Sequence, residues 1–187
     1  MSTIAAQPDL TPDDLLKMPD GDRYELVDGH LVECDMGSRS SHVGGILFRM
    51  LGDYCAEHRL GWTYPADCGY QCFADDPKRL RRPDASFIRL GRLPGEQTPD
   101  GFIRIAPDLV VEVLSPNDLA YETGRGVEDF LRAGTRLIWV VNPDTRTVLV
   151  YRGDGTIQGL REQDELSGED TLPGFRCRVG DLFVSPA

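Results

Sequence analysis

The chain has 187 residues, which is enough for one domain with a sizeable core, and its composition of 40% hydrophobic and 27% charged residues is typical of a soluble globular protein. Acidic residues outnumber basic ones by 31 to 20, so the formal net charge at pH 7 is −11. This charge argues against non-specific adhesion to nucleic acid or to anionic membranes, although a local basic groove is compatible with it.

No apolar run approaches the roughly 18 residues that a membrane-spanning helix requires. The polar stretch from Met1 to Asp13 lacks the apolar segment of a secretory signal peptide. The chain has five cysteines, and this odd number favours free thiols in a reducing cytoplasm. Cys68 and Cys72 have the spacing of a zinc pair, but no second pair of Cys or His follows, which disfavours a structural zinc site.

The N-terminal part predicts a short helix followed by a β-hairpin. Thr11 and Pro12 favour a helix start, because threonine is a good N-cap and proline suits the first helical position. Two strand-like runs at 23–27 and 30–34 then flank Asp28-Gly29, a pair typical of a tight hairpin turn.

The strongest helix signal follows, with Ser40 or Ser41 as its predicted N-cap. Its apolar residues at helical spacing are Val43, Ile46, Leu47, Met50, Leu51, Tyr54 and Cys55. Strand signals then cover 62–73 and 83–90, and a loop rich in glycine and proline follows at 91–106.

The run 107–114 is the most apolar strand of the sequence, and its composition indicates burial on both faces. A second helix is predicted over 125–133 and should end at Gly134. Two further strands, at 137–141 and 147–151, flank a turn.

The tail through 172–183 predicts a short β or irregular cover. The order of the elements indicates a mixed α+β fold, with one helix early and one between later strands. Because no linker is long enough to separate domains, we interpret residues 1–10 as a disordered lead and residues 11–187 as a single domain.

The apolar strand at 107–114 contains a carboxylate, Glu112, that needs an explanation. An ionised carboxylate in such a strand is costly unless a cation or strong donors meet it. Asp84 opens the preceding strand signal, and two carboxylates from neighbouring strands can bind one Mg²⁺. The residues alone leave a plainer interpretation open, in which Asp84 is a turn residue and Glu112 pairs with an arginine.

The one dense basic cluster of the sequence lies at 78–82. It consists of Lys78, Arg79, Arg81 and Arg82. In a chain that is otherwise acidic, this cluster is the candidate nucleic-acid-binding surface.

Several segments, in this order, resemble the Uma-type family of putative restriction endonucleases, a branch of the PD-(D/E)xK nuclease superfamily that is common in bacteria. The resemblance covers roughly residues 20–183 and is most specific in the segment Glu112 to Pro116. The matching segments are Tyr24 to Gly29, His42, Pro83-Asp84, Pro107 to Pro116, Phe130 to Gly134 and Leu137 to Pro143.

The resemblance implies a restriction-endonuclease-like α/β core with a mixed β-sheet flanked by helices, and cleavage of DNA that depends on Mg²⁺ or Mn²⁺. It implies that Asp84 and Glu112 are catalytic metal ligands. Glu25 would be an additional acidic residue of the site, and His42 a polar one at a helix N-terminus, where a phosphate is favoured. The residues themselves leave open that Glu25 pairs with a base across the hairpin and that His42 caps its helix. A homodimer is expected, because cutting both strands of a duplex commonly needs two active sites.

The lysine of the superfamily is missing. It often follows the acid by two positions, where this chain has Leu114. In this family it tends to come from the next helix, about one turn before the aromatic that matches Phe130, and that position is Gly126. No lysine follows Lys78, so Arg125 is the nearest cation and the candidate catalytic substitute, although arginine cannot act as a general base. Two functions therefore stand: a metal-dependent DNA endonuclease, or a catalytically degenerate nuclease-fold protein that acts as a binding or oligomeric module.

Overall fold

The computed structural model describes residues 10–34, 37–116 and 118–184. Residues 1–9 of the predicted lead, and residues 185–187 of the predicted domain, lie outside these ranges. In chain order the helices and strands are α1 (Pro12–Leu15), β1 (Tyr24–Val27), β2 (His30–Glu33), α2 (Ser38–His58), β3 (Gly61–Pro65), β4 (Ala85–Arg89), β5 (Leu109–Val113), α3 (Ala120–Ala133), β6 (Leu137–Asn142), β7 (Thr147–Arg152), β8 (Ile157–Leu160), β9 (Glu165–Ser167) and β10 (Arg176–Arg178).

The centre of the described structure is a six-stranded sheet with the order β3-β4-β5-β6-β7-β8. β5 and β6 are parallel and are joined through α3, while the other neighbouring strands of this sheet run antiparallel. β1 and β2 form the N-terminal hairpin, and β9 pairs with β10 in a separate small sheet. The predicted α/β fold, with a mixed sheet, flanking helices and an N-terminal hairpin, is confirmed.

The start of α2 differs from the prediction. Gly37 is the N-cap, and the helix begins at Ser38 rather than after Ser40 or Ser41. The Ser40 hydroxyl instead donates a hydrogen bond to the Gly37 carbonyl at 2.9 Å. A serine within the first turn can bond backward to the chain that precedes it, and sequence alone does not distinguish this serine from an N-cap.

Other element bounds also differ. The strand predicted over 62–73 ends at Pro65, where proline closes β3 at the edge of the sheet. The predicted helix 125–133 starts earlier, at Ala120, and its end at Gly134 is confirmed, because this glycine adopts φ 101° in the left-handed region. β8 and β9 were not predicted.

The two faces of the sheet are covered by different helices. β5 sends Leu109, Val111 and Val113 toward α2, whose buried Leu47 and Leu51 belong to the same apolar cluster. The opposite face packs against α3 through a second cluster, which contains Val110 from β5 and the buried Val127 and Phe130 from α3. This confirms that β5 is buried on both faces. In the described part of the chain, no helix has the length and apolar character needed to cross a membrane.

Candidate active site

Asp84 and Glu112 face each other across two neighbouring strands. The antiparallel register of β4 and β5 pairs Ala85 with Val111. One residue further along, the same register sets Asp84 opposite Glu112, and directly opposed side chains of this kind have Cβ atoms about 4.5–5.5 Å apart. Both side chains line one cavity of about 170 Å³. The sheet therefore brings together the two carboxylates that the sequence singled out.

The two carboxylates are held differently. The Val113 amide donates a hydrogen bond of 2.5 Å to Asp84 Oδ2, which fixes this carboxylate against the end of β5. Glu112 is half-buried, and its carboxylate forms no hydrogen bond or ion pair with any residue in the described ranges. The plainer interpretation, in which an arginine pairs directly with Glu112, therefore does not fit the structure.

Burial and crowding of negative charge raise the pKa of both carboxylates. For Glu112, burial is the main cause of a pKa well above the usual range, and the charges of Asp84 and Glu25 add to it. For Asp84, burial raises the pKa to about 7, against the opposing effect of the hydrogen bond from Val113. Arg81 favours the charged form of Glu112, but burial and the neighbouring negative charges outweigh this effect.

The cavity is acidic beyond this pair. Asp118 and Glu122, from the chain entering α3 and its first turn, also line it. The Asp118 carboxylate accepts hydrogen bonds from the Ser115 amide at 2.7 Å and from the Ser115 hydroxyl at 2.9 Å. Sequence reasoning missed both acids, and the available signal was their position at the start of a helix that follows the Glu112 strand.

The donors present suit a hard divalent cation with few protein ligands. Within the described ranges, no group of three or more His, Cys, Asp or Glu side chains is arranged to hold a metal ion. Mg²⁺ is commonly held by one or two carboxylates and keeps several water ligands, so Asp84 and Glu112 alone make a chemically reasonable donor set. A soft metal would need thiolates, and burial raises the pKa of the cavity-lining Cys34 to about 12, which keeps this thiol protonated.

Glu25 lines the same cavity, but both of its carboxylate oxygens are occupied. Arg81 Nη1 donates to Oε2 at 2.8 Å, and the Arg82 amide donates to Oε1 at 2.7 Å. Arg81 also donates through Nε and Nη2 to Asp129 Oδ2 on α3, at 2.9 and 2.6 Å. Glu25 therefore anchors the hairpin to α3 through Arg81, and its basic partner does not come from across the hairpin.

The predicted nucleic-acid surface at 78–82 is wrong for two of its four members. Arg79 and Arg81 are only 8% and 7% exposed. Arg79 donates to Asp75 at 2.9 Å and lies 3.2 Å from Asp129 Oδ1. Arg82 is half-buried and donates to the backbone carbonyls of Tyr24 and Gly21. Arg79, Leu80 and Arg81 are all buried, and both guanidinium groups pair with carboxylates of the protein, so neither lies on an exposed surface.

Arg125 does not reach the carboxylates, contrary to the prediction. Its guanidinium pairs with Asp28 in the hairpin turn and donates to the Tyr121 hydroxyl at 2.9 Å. Successive helical residues differ by about 100° in direction, so Gly126 faces the cavity where Arg125 turns away. A Cβ placed on Gly126 would have no neighbouring atom within 4 Å. The position at which the family resemblance predicts a lysine is therefore open and faces the cavity, and Arg81 and Arg82 also line this cavity.

His42 is exposed on α2 and is not among the residues that line the cavity. It lies past the first turn of the helix, so it is not the N-cap either. α2 approaches the site through Gly44 instead, where an added Cβ would lie 3.7 Å from the Asp84 Cβ. The structure therefore does not bring His42 to the cavity of Asp84 and Glu112.

A family model and a solved structure match most of this chain. The model of a family described as "Uma2: Putative restriction endonuclease" matches residues 12–180. A crystal structure of a protein from Anabaena variabilis, described as a putative nuclease belonging to DUF820, superimposes with a TM-score of 0.78. That protein is 22% identical in sequence, over 93% of this chain and 97% of its own, which shows a shared fold. The curated proteins contain no match.

Proposed function

Because the chain belongs to the Uma2 family of putative restriction endonucleases, we propose that it is a nuclease that cleaves DNA phosphodiester bonds with Mg²⁺ or Mn²⁺ held by Asp84 and Glu112. One observation carries this proposal. A half-buried carboxylate without a partner among the described residues lies opposite a second carboxylate in a cavity open to solvent. A divalent cation between the two carboxylates would offset the free-energy cost of burying their charges and of their mutual repulsion.

A divalent cation bound there supplies Lewis-acid polarisation of the phosphodiester and lowers the pKa of a water ligand. The chain contributes a rigid frame. The Val113 amide fixes Asp84 at the end of β5, and the Arg81 guanidinium, held by Glu25 and Asp129, adds positive charge at the cavity wall. Arginine stays protonated at neutral pH, so Arg81 stabilises negative charge and does not act as a base.

Isothermal titration with Mn²⁺ at millimolar concentration tests the metal site. We expect metal-dependent heat for the wild type and at least a roughly ten-fold loss of affinity for Glu112→Ala, because one of two protein ligands is removed. Glu128→Ala is the matched control, since this glutamate is exposed on α3 and pairs with Arg132. Absence of metal-dependent heat for the wild type would remove the proposal.

Cleavage of a plasmid and of a single-stranded DNA oligonucleotide tests the missing lysine. Gly126→Lys places an ammonium in open space beside Asp84 and Glu112, and we expect it to raise the cleavage rate at least about ten-fold by stabilising developing charge. Gly126→Met is the control for side-chain length and helix propensity, and it should not raise the rate. If the wild type already cuts as fast as Gly126→Lys, the absence of a lysine at this position does not limit cleavage.

A second function is favoured by Gly126 itself. Without the lysine, the same site binds a divalent cation but does not cleave, and the protein acts as a binding or oligomeric module. The two functions differ in one result, because wild-type metal binding without cleavage of either plasmid or single-stranded DNA selects the second. We also propose that the protein is cytoplasmic, which agrees with the free state of all five cysteines. We propose in addition that it forms a homodimer, and light scattering after size exclusion measures the dimer directly.

A further inference from the structure

A second cavity adjoins the candidate metal site. It has a volume of about 740 Å³ and lies between the N-terminal ends of α2 and α3, over β6 and β7. Leu114, Ser115, Asp118 and Thr123 line both cavities. A bound molecule can therefore extend from one cavity into the other. Both open where the parallel strands β5 and β6 end, a position at which open α/β sheets commonly bind ligands.

The floor of the second cavity is apolar and includes one aromatic ring. Val140 of β6 pairs directly with Leu149 of β7, and Tyr151 follows on the same face. Leu149 is 40% exposed although it lies in the interior of the six-stranded sheet. The Tyr151 hydroxyl makes no hydrogen bond with any residue of the described ranges. Val140 is buried, so the solvent-accessible part of the floor is formed by Leu149 and the half-buried Tyr151.

The wall on the α3 side is built from small residues. Ala120, Thr123 and Gly124 face the cavity, and a Cβ added at Gly124 would meet no atom within 4 Å. Glycine inside a helix costs about 1 kcal/mol relative to alanine, so the space at this position comes at a cost in helix stability.

Arg39 places a positive charge at the rim of the second cavity. Arg39 of α2 donates from Nη2 to the Pro143 carbonyl at 2.5 Å, and its Nη1 lies 3.7 Å from Asp144 Oδ1. The arginine side chain is 62% exposed and that of Asp144 is 92% exposed. An exposed ion pair of this kind is weak, so a phosphate can displace Asp144 from Arg39.

The charges near the site disfavour an intact duplex as substrate. Proteins that bind duplex DNA neutralise many phosphates with lysine and arginine, whereas Arg79 and Arg81 here are buried in ion pairs. Single strands are bound with fewer cations, by stacking bases on aromatic and apolar surfaces. A base that is paired and stacked in a duplex cannot enter a recess of this kind.

We propose that the second cavity holds an unpaired nucleobase next to the phosphodiester at Asp84 and Glu112, so that the substrate is single-stranded DNA. The base lies on Tyr151 and Leu149, and Arg39 meets a neighbouring phosphate. This inference rests on the proposed nuclease function and adds the substrate class to it.

Fluorescence anisotropy with a labelled single-stranded oligonucleotide and its duplex, in Ca²⁺, tests the inference. We expect the wild type to bind the single strand at least roughly ten-fold more tightly than the duplex. Tyr151→Ala removes the stacking surface and Gly124→Leu fills the cavity, so each should weaken single-strand binding roughly ten-fold. Mn²⁺ affinity, measured by titration, should not change. Ile157→Ala is the control, because this exposed residue pairs with Tyr151 from β8 and lies outside the cavity wall.

Each outcome decides a separate point. Tighter binding of the duplex, or wild-type binding by both cavity variants, overturns the inference. Gly124→Leu replaces a poor helix former with a good one, so it tests the cavity even if Tyr151→Ala does not fold. Loss of self-association in Gly124→Leu with unchanged oligonucleotide binding would make the cavity an interface between copies, which also overturns the inference. If the wild type prefers the single strand but binds no Mn²⁺, the proposed nuclease function fails and the base site stands.

Discussion

The two faces of the central sheet differ in how they are covered. On one face, α2 packs Leu47 and Leu51, both completely buried, against β4, β5 and β6 in a continuous apolar cluster. On the other, α3 packs its C-terminal half through Val127 and Phe130, while Gly124 leaves open space beside the sheet. One face thus supplies most of the apolar burial, and the other contains both cavities.

The interactions that hold the elements together on the two faces differ as well. The hairpin and α3 are tied together by Arg81, which bonds Glu25 and Asp129 at the same time. Apolar side chains close the α2 side, whereas the α3 side retains open space at Gly124 and Gly126 and contains both cavities.

The largest effect is expected from breaking the ion-pair network. Arg81→Met should lower the free energy of unfolding by about 3–5 kcal/mol, because it leaves the carboxylate of Glu25 without its cation and removes the closer of the two arginines that pair with Asp129. Arg132→Met, which breaks an exposed pair with Glu128, should cost less than about 1 kcal/mol. Urea denaturation measures both values. Equal losses would mean that the α3 face does not depend on this network.

Truncation of one leucine on each face of the sheet compares how much the two faces contribute to stability. Leu47→Ala should cost about 3 kcal/mol, since the side chain is completely buried and leaves a cavity. Leu149→Ala should cost less than about 1 kcal/mol, because this leucine already contacts solvent. A loss at Leu149 as large as that at Leu47, in the same denaturation experiment, would show that the second cavity is closed in solution.

The ionised form of the candidate metal ligand Asp84 should destabilise the metal-free protein at high pH. Folding raises the pKa of Asp84 from 3.8 to about 7, so the folded state binds a proton more tightly than the unfolded state does. Stability therefore falls as pH rises from about 4 to about 7 and stays low above that. Asp84→Asn removes this titration and should stabilise the metal-free protein by about 1–2 kcal/mol at pH 8.

Thermal unfolding at pH 5 and pH 8, with and without Mn²⁺, measures this effect. The wild type should recover stability at pH 8 when Mn²⁺ is added, because a ligand that binds only the folded state stabilises it. Asp84→Asn should respond far less. A wild type more stable at pH 8 than at pH 5 without metal, and unchanged in Asp84→Asn, would contradict the assignment of Asp84 as a buried acid.

The smallest effect is expected from adding a methyl group to α3. Gly126→Ala should stabilise the protein by about 1 kcal/mol, because alanine is the better helix former and its Cβ enters open space. This corresponds to a rise in melting temperature of about 2–4 °C for a domain of this size. A fall in melting temperature would show that the space at Gly126 is filled in solution.

Periodicity and composition were enough to predict β5, its burial on both faces and the carboxylate within it. Asp84 and Glu112 were paired through the family resemblance, because the two-residue repeat of a strand assigns residues to its faces but does not fix its register against a neighbour. The roles of Arg79 and Arg81 could not be predicted, since a run of basic residues looks the same whether it faces solvent or a buried acid. Their partner Asp129 is some 50 residues away in sequence and is identified only by the fold.

The site cation was misplaced for a related reason. Arg125 is adjacent to Gly126 in sequence, but on a helix adjacent residues point in different directions. Without the exact start of α3, sequence does not tell which of the two faces β5. The structure places Arg125 against Asp28 and leaves Gly126 facing the cavity.

The hydrogen bond from the Val113 amide to Asp84 gives this protein a built-in spectroscopic reporter. An amide proton shared with a charged carboxylate oxygen resonates differently once that oxygen is protonated or shared with a cation. The amide resonance of Val113 in a ¹⁵N–¹H spectrum should therefore shift as Asp84 titrates, and shift again when Mg²⁺ is added. The occupancy of the site could then be followed by NMR in solution, without a substrate and without any substitution in the chain.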